Sequence, residues 1–126
     1  MDLKIMDMEK RGKIVPTRSL IKTPEQIEGI RRSGELNTAV LDEVARLIHP
    51  GMNTLEIDEI CSSYCTSHGG VAACLGYEGY PKSVCTSINE VVCHGMPKET
   101  DVPQEGDIVH VGLTTIHAGP YAAAGT

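Results

Sequence analysis

The sequence predicts an α+β fold in which two helices pack on a small antiparallel β-sheet. Two segments with helical spacing of apolar residues and capping signals come first, and strand-like apolar runs follow them. The 126 residues suit one domain. Because the chain has no Phe and no Trp, its core must be aliphatic, with Cys, Met and Tyr filling the gaps.

The first 22 residues differ in charge from the rest of the chain. They carry six Lys or Arg and three acidic residues, whereas residues 23–126 carry five basic and fourteen acidic ones. We therefore divide the chain into a basic N-terminal extension, 1–22, and a domain, 23–126. A solvated extension is favoured over contact with ribosomal RNA, since the segment lacks aromatic residues. No apolar run is long enough to span a membrane, so we expect a cytoplasmic protein without a membrane partner.

The first predicted helix begins after Thr23. Thr23 is a typical N-cap, Pro24 suits the first helical position, and Gln26 completes a capping box. Apolar or small residues then recur at helical spacing on one face. Pro50 cannot continue the hydrogen-bond ladder, so the helix is predicted to end near it.

A second helix is predicted from about Leu55 to His68, with Thr54 as its N-cap and a pair of glycines after it. Cys61, Cys65 and His68 share one face of this helix and so have the spacing of metal ligands. Apolar neighbours on the same face favour a place in the core instead.

A β-hairpin is predicted next, with strands Val84–Ile88 and Val91–His94 joined by Asn89 and Glu90. Asn89 accepts the positive φ that such a turn requires, and Glu90 accepts it less readily. The strand pattern is clearest in Ile108–Ile116. A return strand over Pro120–Thr126 is predicted to be a poor one, because of Pro120 and a run of alanines.

The stretch from Gly76 to Pro97 reads GYEGYPKSVCTSINEVVCHGMP. It resembles the segment GYxGYPKSVCxSxNxVxCHGxP of type 1 methionine aminopeptidases, and the similarity extends from about Ile21 to Val109. The resemblance implies half of a pita-bread fold, in which two similar halves enclose a two-metal site. It also implies removal of the initiator methionine from new polypeptides by hydrolysis with divalent cobalt, manganese, iron or zinc.

The resemblance further implies a substrate site. His94 matches a catalytic residue that contacts the scissile amide, outside the metal shell. Cys74, Tyr77, Tyr80 and Cys85 match residues that line the pocket for the methionine side chain. Small sulfurs and aromatic edges are suited to a thioether.

The metal centre that the family would require is not matched. Aligned without a gap from Gly106, the two aspartate ligands of the first half fall on Gly112 and Ala123, which have no donor side chain. The other family ligands belong to the half that this chain does not match. We therefore expect no specifically bound metal and no peptidase activity, with His110 and His117 as the nearest replacement ligands.

Two functions remain open at this point. One is the peptidase role, with N-terminal methionine peptides as substrates and the ribosome as a partner that the resemblance implies. The alternative is a pseudoenzyme or non-catalytic binding module that contacts a nascent chain or a partner protein. Without a second half, an exposed sheet edge or apolar face also predicts self-association.

Overall fold

A computed structural model shows three helices, two short 3-10 turns and one four-stranded antiparallel sheet in the described part of the chain. It describes residues 3–117 and the backbone of 121–125. No helix in these ranges is both long and apolar enough to cross a membrane. The helices are α1 Leu3–Lys10, α2 Pro24–Leu47 and α3 Thr54–Ser67; the turns are Arg18–Leu20 and Tyr77–Gly79; the strands are β1 Val71–Ala72, β2 Cys85–Ile88, β3 Val109–Ile116 and β4 Tyr121–Gly125.

Strand β3 is the centre of the sheet, and β1, β2 and β4 all pair with it. Ile116 pairs with both Val71 and Tyr121, and Gly112 pairs with both Cys85 and Gly125. Strands β1 and β2 therefore follow one another along one side of β3, and β4 occupies the other side. The predicted strand at 108–116 is confirmed.

The return strand also forms, as β4, although its predicted start at Pro120 lies outside the described residues. Its five-residue register with β3 shows that backbone pairing with a long central strand outweighs the low strand propensity of alanine.

Helix α2 begins as predicted. The Thr23 hydroxyl accepts from the backbone N–H of Gln26 at 3.2 Å, and the Gln26 side chain accepts from the Thr23 N–H at 2.8 Å, which completes the capping box. The helix ends at Leu47, since its C-cap Ile48 already has extended angles, and Pro50 follows two residues later as predicted.

The predicted N-cap of α3 is wrong by one residue. Asn53 is the cap, and it forms a capping box with Glu56. Thr54 lies inside the helix and is fully buried. Its hydroxyl bridges to the backbone of Lys98, donating to the carbonyl at 3.0 Å and accepting from the N–H at 2.9 Å. Thr54 therefore ties α3 to the loop that precedes β3.

The core lies between the two long helices and one face of the sheet. Its buried apolar side chains come mainly from α2, α3 and β3. Cys61 and Cys65 are completely buried, which confirms their predicted place in the core. Burial, followed by the nearby Asp58 carboxylate, raises the pKa of the Cys61 thiol to about 12. His68 does not follow them inward: it is exposed and stacks on Tyr64, with ring centroids 4.1 Å apart.

The predicted hairpin is wrong. Only its first strand forms, as β2, and that strand pairs with β3 instead of Val91–His94. Asn89 has the expected positive φ of 51°, but its side chain accepts from the N–H of Ile108 at 3.0 Å, which fixes the turn to the start of β3. The apolar residues after the turn remain exposed, and Val92 is 88% accessible.

On its other side, β2 is covered by the segment around Gly95. The Thr86 N–H donates to the Gly95 carbonyl at 2.8 Å, and the Gly95 N–H donates to the Ser87 hydroxyl at 3.1 Å. These bonds fix the chain on both sides of Gly95, including the neighbouring His94. His94 has a φ of 57°, in the left-handed region that residues other than glycine rarely adopt.

Candidate functional site

One face of the sheet is packed against the helices and the other is open. Along β3, Val111, Leu113 and Thr115 are buried, and the residues between them are not. Successive side chains of a strand point to opposite faces, so His110, Gly112, Thr114 and Ile116 define the second face. We call this the open face.

The open face contains the positions at which the sequence predicted metal ligands to be absent. Gly112 lies directly opposite Cys85 on β2, and Thr114 lies directly opposite Ala123 on β4. Because opposed residues of an antiparallel pair share a face, positions 112 and 123 are diagonal neighbours on one surface. The backbone therefore retains an arrangement that can present two carboxylates, while neither residue has a donor atom in its side chain.

The residues around Gly112 do not fit a two-metal centre. His110 Cε1 lies 3.5 Å and Cys85 Cβ lies 3.9 Å from the point that a Cβ on Gly112 would occupy. Within the described ranges, no three His, Cys, Asp or Glu side chains come together as a group that could hold a metal ion. A bridged pair of metals needs several converging ligands, carboxylates among them.

A small cavity of about 200 Å³ opens beside the same face. It is lined by Ala73, Cys74, Tyr77 and Thr114. The structure thus brings together Cys74 and Tyr77, two of the residues predicted to bind a methionine side chain. Thr114 was not predicted; its position two residues after Gly112 on a strand was the available signal.

Tyr80 and Cys85 form a second cluster close to this cavity. The Tyr80 hydroxyl donates to the carbonyl of Val84 at 2.8 Å. Burial contributes most to a raised pKa of Tyr80, followed by its hydrogen bond with Cys85 and then by the proximity of Cys85 and Cys74. Tyr80 is therefore a neutral phenol whose hydroxyl is held by the backbone of Val84.

The turn Tyr77–Gly79 places the Tyr77 ring. Gly76 and Gly79 have positive φ, and the Gly76 N–H donates to the Tyr80 carbonyl at 2.7 Å, which closes the turn. Tyr77 is 68% exposed, although its side chain lines the cavity. One wall of the cavity is therefore open to solvent.

His94 is not among the residues that line this cavity. It is exposed, and it lies on the segment that covers the outer side of β2. Its predicted contact with a scissile amide stays a prediction.

Comparison with known proteins identifies relatives of this arrangement. Residues 28–125 match the family described as Metallopeptidase family M24. The chain is 50% identical over 100 residues to methionine aminopeptidase of Escherichia coli, covering 79% of this chain and 38% of that protein. It is 47% identical over 94 residues to methionine aminopeptidase A of Synechocystis, covering 75% of this chain and 37% of that protein.

Two solved structures are also similar. The crystal structure of methionine aminopeptidase from Rickettsia prowazekii aligns with a TM-score of 0.80 at 37% identity, over 83% of this chain and 42% of that one. The Thermotoga maritima methionine aminopeptidase aligns with a TM-score of 0.81 at 34% identity, over 84% of this chain and 43% of that one. The chain thus spans about two fifths of the length of the relatives it matches.

Proposed function

The chain belongs to metallopeptidase family M24, and we propose that it binds N-terminal methionine side chains without hydrolysing the peptide by itself. The structures of the Rickettsia and Thermotoga enzymes confirm its fold as α+β, the N-terminal portion of a pita-bread architecture. Binding to new polypeptides, a cytoplasmic location and contact with the ribosome are parts of the same proposal.

The cavity beside the open face is the observation that carries this proposal. Its volume of about 200 Å³ is small, and Cys74 and Tyr77 both line it. Polarizable sulfur and aromatic edges make favourable contacts with a thioether. In the proposed complex the methionine side chain enters this cavity, and His94 positions the first peptide amide.

The absence of hydrolysis follows from the donor set. Gly112 and Ala123 occupy diagonal positions on one face of the sheet and offer no ligand atoms. Activating water at neutral pH by metal binding requires a site that holds the ion, and the described residues do not form one. The residues present therefore support binding of the peptide but not its cleavage.

Titration with the peptide Met-Ala-Ser is expected to shift amide resonances around Cys74 and Tyr77, with a Kd on the order of 1 mM because one cavity wall is open. Thr114→Phe fills the cavity and should weaken binding about tenfold. The matched control is His110→Phe, which adds the same ring on the open face but does not line the cavity. Equal affinity for Glu-Ala-Ser, or an unaffected Thr114→Phe variant, would refute binding in this cavity.

Restoring the two carboxylates is expected to leave the chain inactive. The Cβ that Gly112→Asp adds is accommodated, since the nearest atoms to it are 3.5 and 3.9 Å away. With Ala123→Asp it supplies only two ligands, too few to hold a catalytic pair. We expect no release of methionine from Met-Ala-Ser in the presence of cobalt or manganese. The protein must first be separated from the aminopeptidase of the expression host. Metal-dependent release by either the wild type or the double variant would show that the inactive assignment is wrong.

A further inference from the structure

A groove between α2 and α3, lined by no strand residue among those that the structure describes, has an apolar floor and an acidic rim. Its volume is about 570 Å³. Of the nine described residues that line it, three are glutamates and none is Lys, Arg or His. The floor includes Leu47, Ile60 and Tyr64, and the rim consists of Glu43, Glu56 and Glu59.

The rim glutamates are not equally available. Glu43 is paired with Arg46 at 2.7 Å, and Glu56 accepts from the N–H of Asn53 in the capping box. Glu59 is exposed in the middle of α3. Glu59 takes no part in the cap of the helix. Its carboxylate can therefore pair with a basic ligand that enters the groove.

The N-terminal arm, defined as residues 3–22, has the complementary chemistry. It contains six Lys or Arg against two acidic residues. Helix α1 within it buries no residue, and Leu3 is 81% exposed. Leu3 and Met6 lie three residues apart on one helical face, with Lys10 one turn further along the same face. Leu3 and Met6 can therefore pack on the apolar floor of the groove while Lys10 pairs with its acidic rim.

We propose that the groove binds the N-terminal arm of a second copy of this chain, so that two copies exchange their α1 helices. This is the helix-in-groove mode of recognition, and a reciprocal exchange gives a closed two-fold dimer. Nucleic acid fits the arm less well, because phosphates can pair with Lys10 and Lys13 but leave Leu3 and Met6 exposed to water.

Reach along the chain favours the second copy over the arm of the same molecule. Glu43 and Leu47 lie in the last turns of α2, while the arm joins that helix at its other end. At ~1.5 Å per residue, Glu43 is about 30 Å from the start of α2. Lys13 and Thr23 are ten positions apart, so they lie at most about 35 Å from each other when the segment is fully extended. An intramolecular contact would thus require the 3-10 turn at Arg18–Leu20 to unfold.

Sedimentation velocity of the full chain over a concentration series tests the proposal by charge reversal. We expect a monomer–dimer equilibrium that weakens about tenfold in Glu59→Lys and in Lys10→Glu, and that recovers in the variant carrying both changes. Glu99→Lys is the matched control, since it makes the same charge change at an exposed loop position outside the groove. Raising the salt concentration from 0.05 to 0.5 M should also favour the monomer.

Several outcomes would overturn the proposal. The first is a wild-type chain that stays monomeric. The second is a Glu59→Lys variant that dimerises as strongly as Glu99→Lys. The third is a variant with both changes, Glu59→Lys and Lys10→Glu, that dimerises no more strongly than either single variant. If the dimer formed instead through the open face or β4, the charge-reversed variants would dimerise as strongly as the wild type, and this result would also overturn the proposal. Far-UV circular dichroism confirms that each surface variant is folded before the comparison is made.

Discussion

Gly95→Ala is expected to destabilise the chain by about 3 kcal/mol or more. A Cβ at this position would lie 1.9 Å from the Thr86 carbonyl oxygen, 2.8 Å from the Thr86 carbonyl carbon and 3.0 Å from the Cα of Ser87. All three atoms belong to the backbone of β2, which β3 holds on its other side. The clash therefore cannot be relieved by turning a side chain, and the segment that carries His94 must separate from the sheet.

Gly112→Ala is the matched control for this change. It adds the same methyl group to the same sheet, but its nearest contacts are 3.5 and 3.9 Å away, which is ordinary van der Waals separation. We expect its free energy of unfolding to stay within about 0.5 kcal/mol of wild type. Urea denaturation followed by circular dichroism measures both variants. Coinciding midpoints for the two alanine variants would show that the close approach at Gly95 is not part of the stable fold.

Asp58→Ala is expected to cost about 3 kcal/mol, because it removes a charged acceptor from two backbone donors in the interior. Asp58 lies on α3 and is only 8% exposed. Its Oδ1 accepts from the N–H of Ser83 at 2.7 Å and from the N–H of Val84 at 3.1 Å. This single oxygen attaches the helix to the segment that leads into β2 and carries the carbonyl to which Tyr80 donates.

The adjacent Glu59 gives the control, since Glu59→Ala removes an exposed carboxylate from the same helix and should change stability by less than about 0.5 kcal/mol. Asp58→Asn keeps an acceptor oxygen and should lose about half as much as Asp58→Ala. Guanidinium denaturation ranks the three variants. If Asp58→Ala unfolded at the same midpoint as Glu59→Ala, the bonds to Ser83 and Val84 could not be contributing as argued.

Local signals allowed the helices to be predicted, and long-range pairing accounts for the main errors. The capping box of α2 is contained within Thr23–Gln26, so four residues were sufficient to predict it. The cap of α3 was misplaced because Thr54, a good capping residue by type, is used to hold Lys98 from 44 positions away. The hairpin was wrong for the same kind of reason: β2 and the turn at Asn89 bind β3, not the residues that follow the turn.

The candidate site was predictable to a similar extent. Cys74 and Tyr77 do line one cavity, because they are only three residues apart and the Tyr77 N–H donates to the Cys74 carbonyl at 3.1 Å, a local contact. Thr114 could be added only when the register of β3 had fixed which residues lie on the open face. His94 lies in a segment whose position depends on the packing of Gly95 against β2, a contact that no sequence pattern indicates.

The central place of β3 also sets the order in which this molecule can be built during translation. Strands β1 and β2 are synthesised first, and within the described residues each pairs with β3, whose residues 109–116 are synthesised after both. At bacterial or eukaryotic elongation rates of roughly 5–20 residues per second, β1 and β2 wait for several seconds before β3 is available to pair with them. Helices α2 and α3 can close their capping boxes in that interval, since those bonds are local. The pairing of β1 and β2 with β3 can form only after β3 has been synthesised, and until then the apolar side of both helices is available to chaperones.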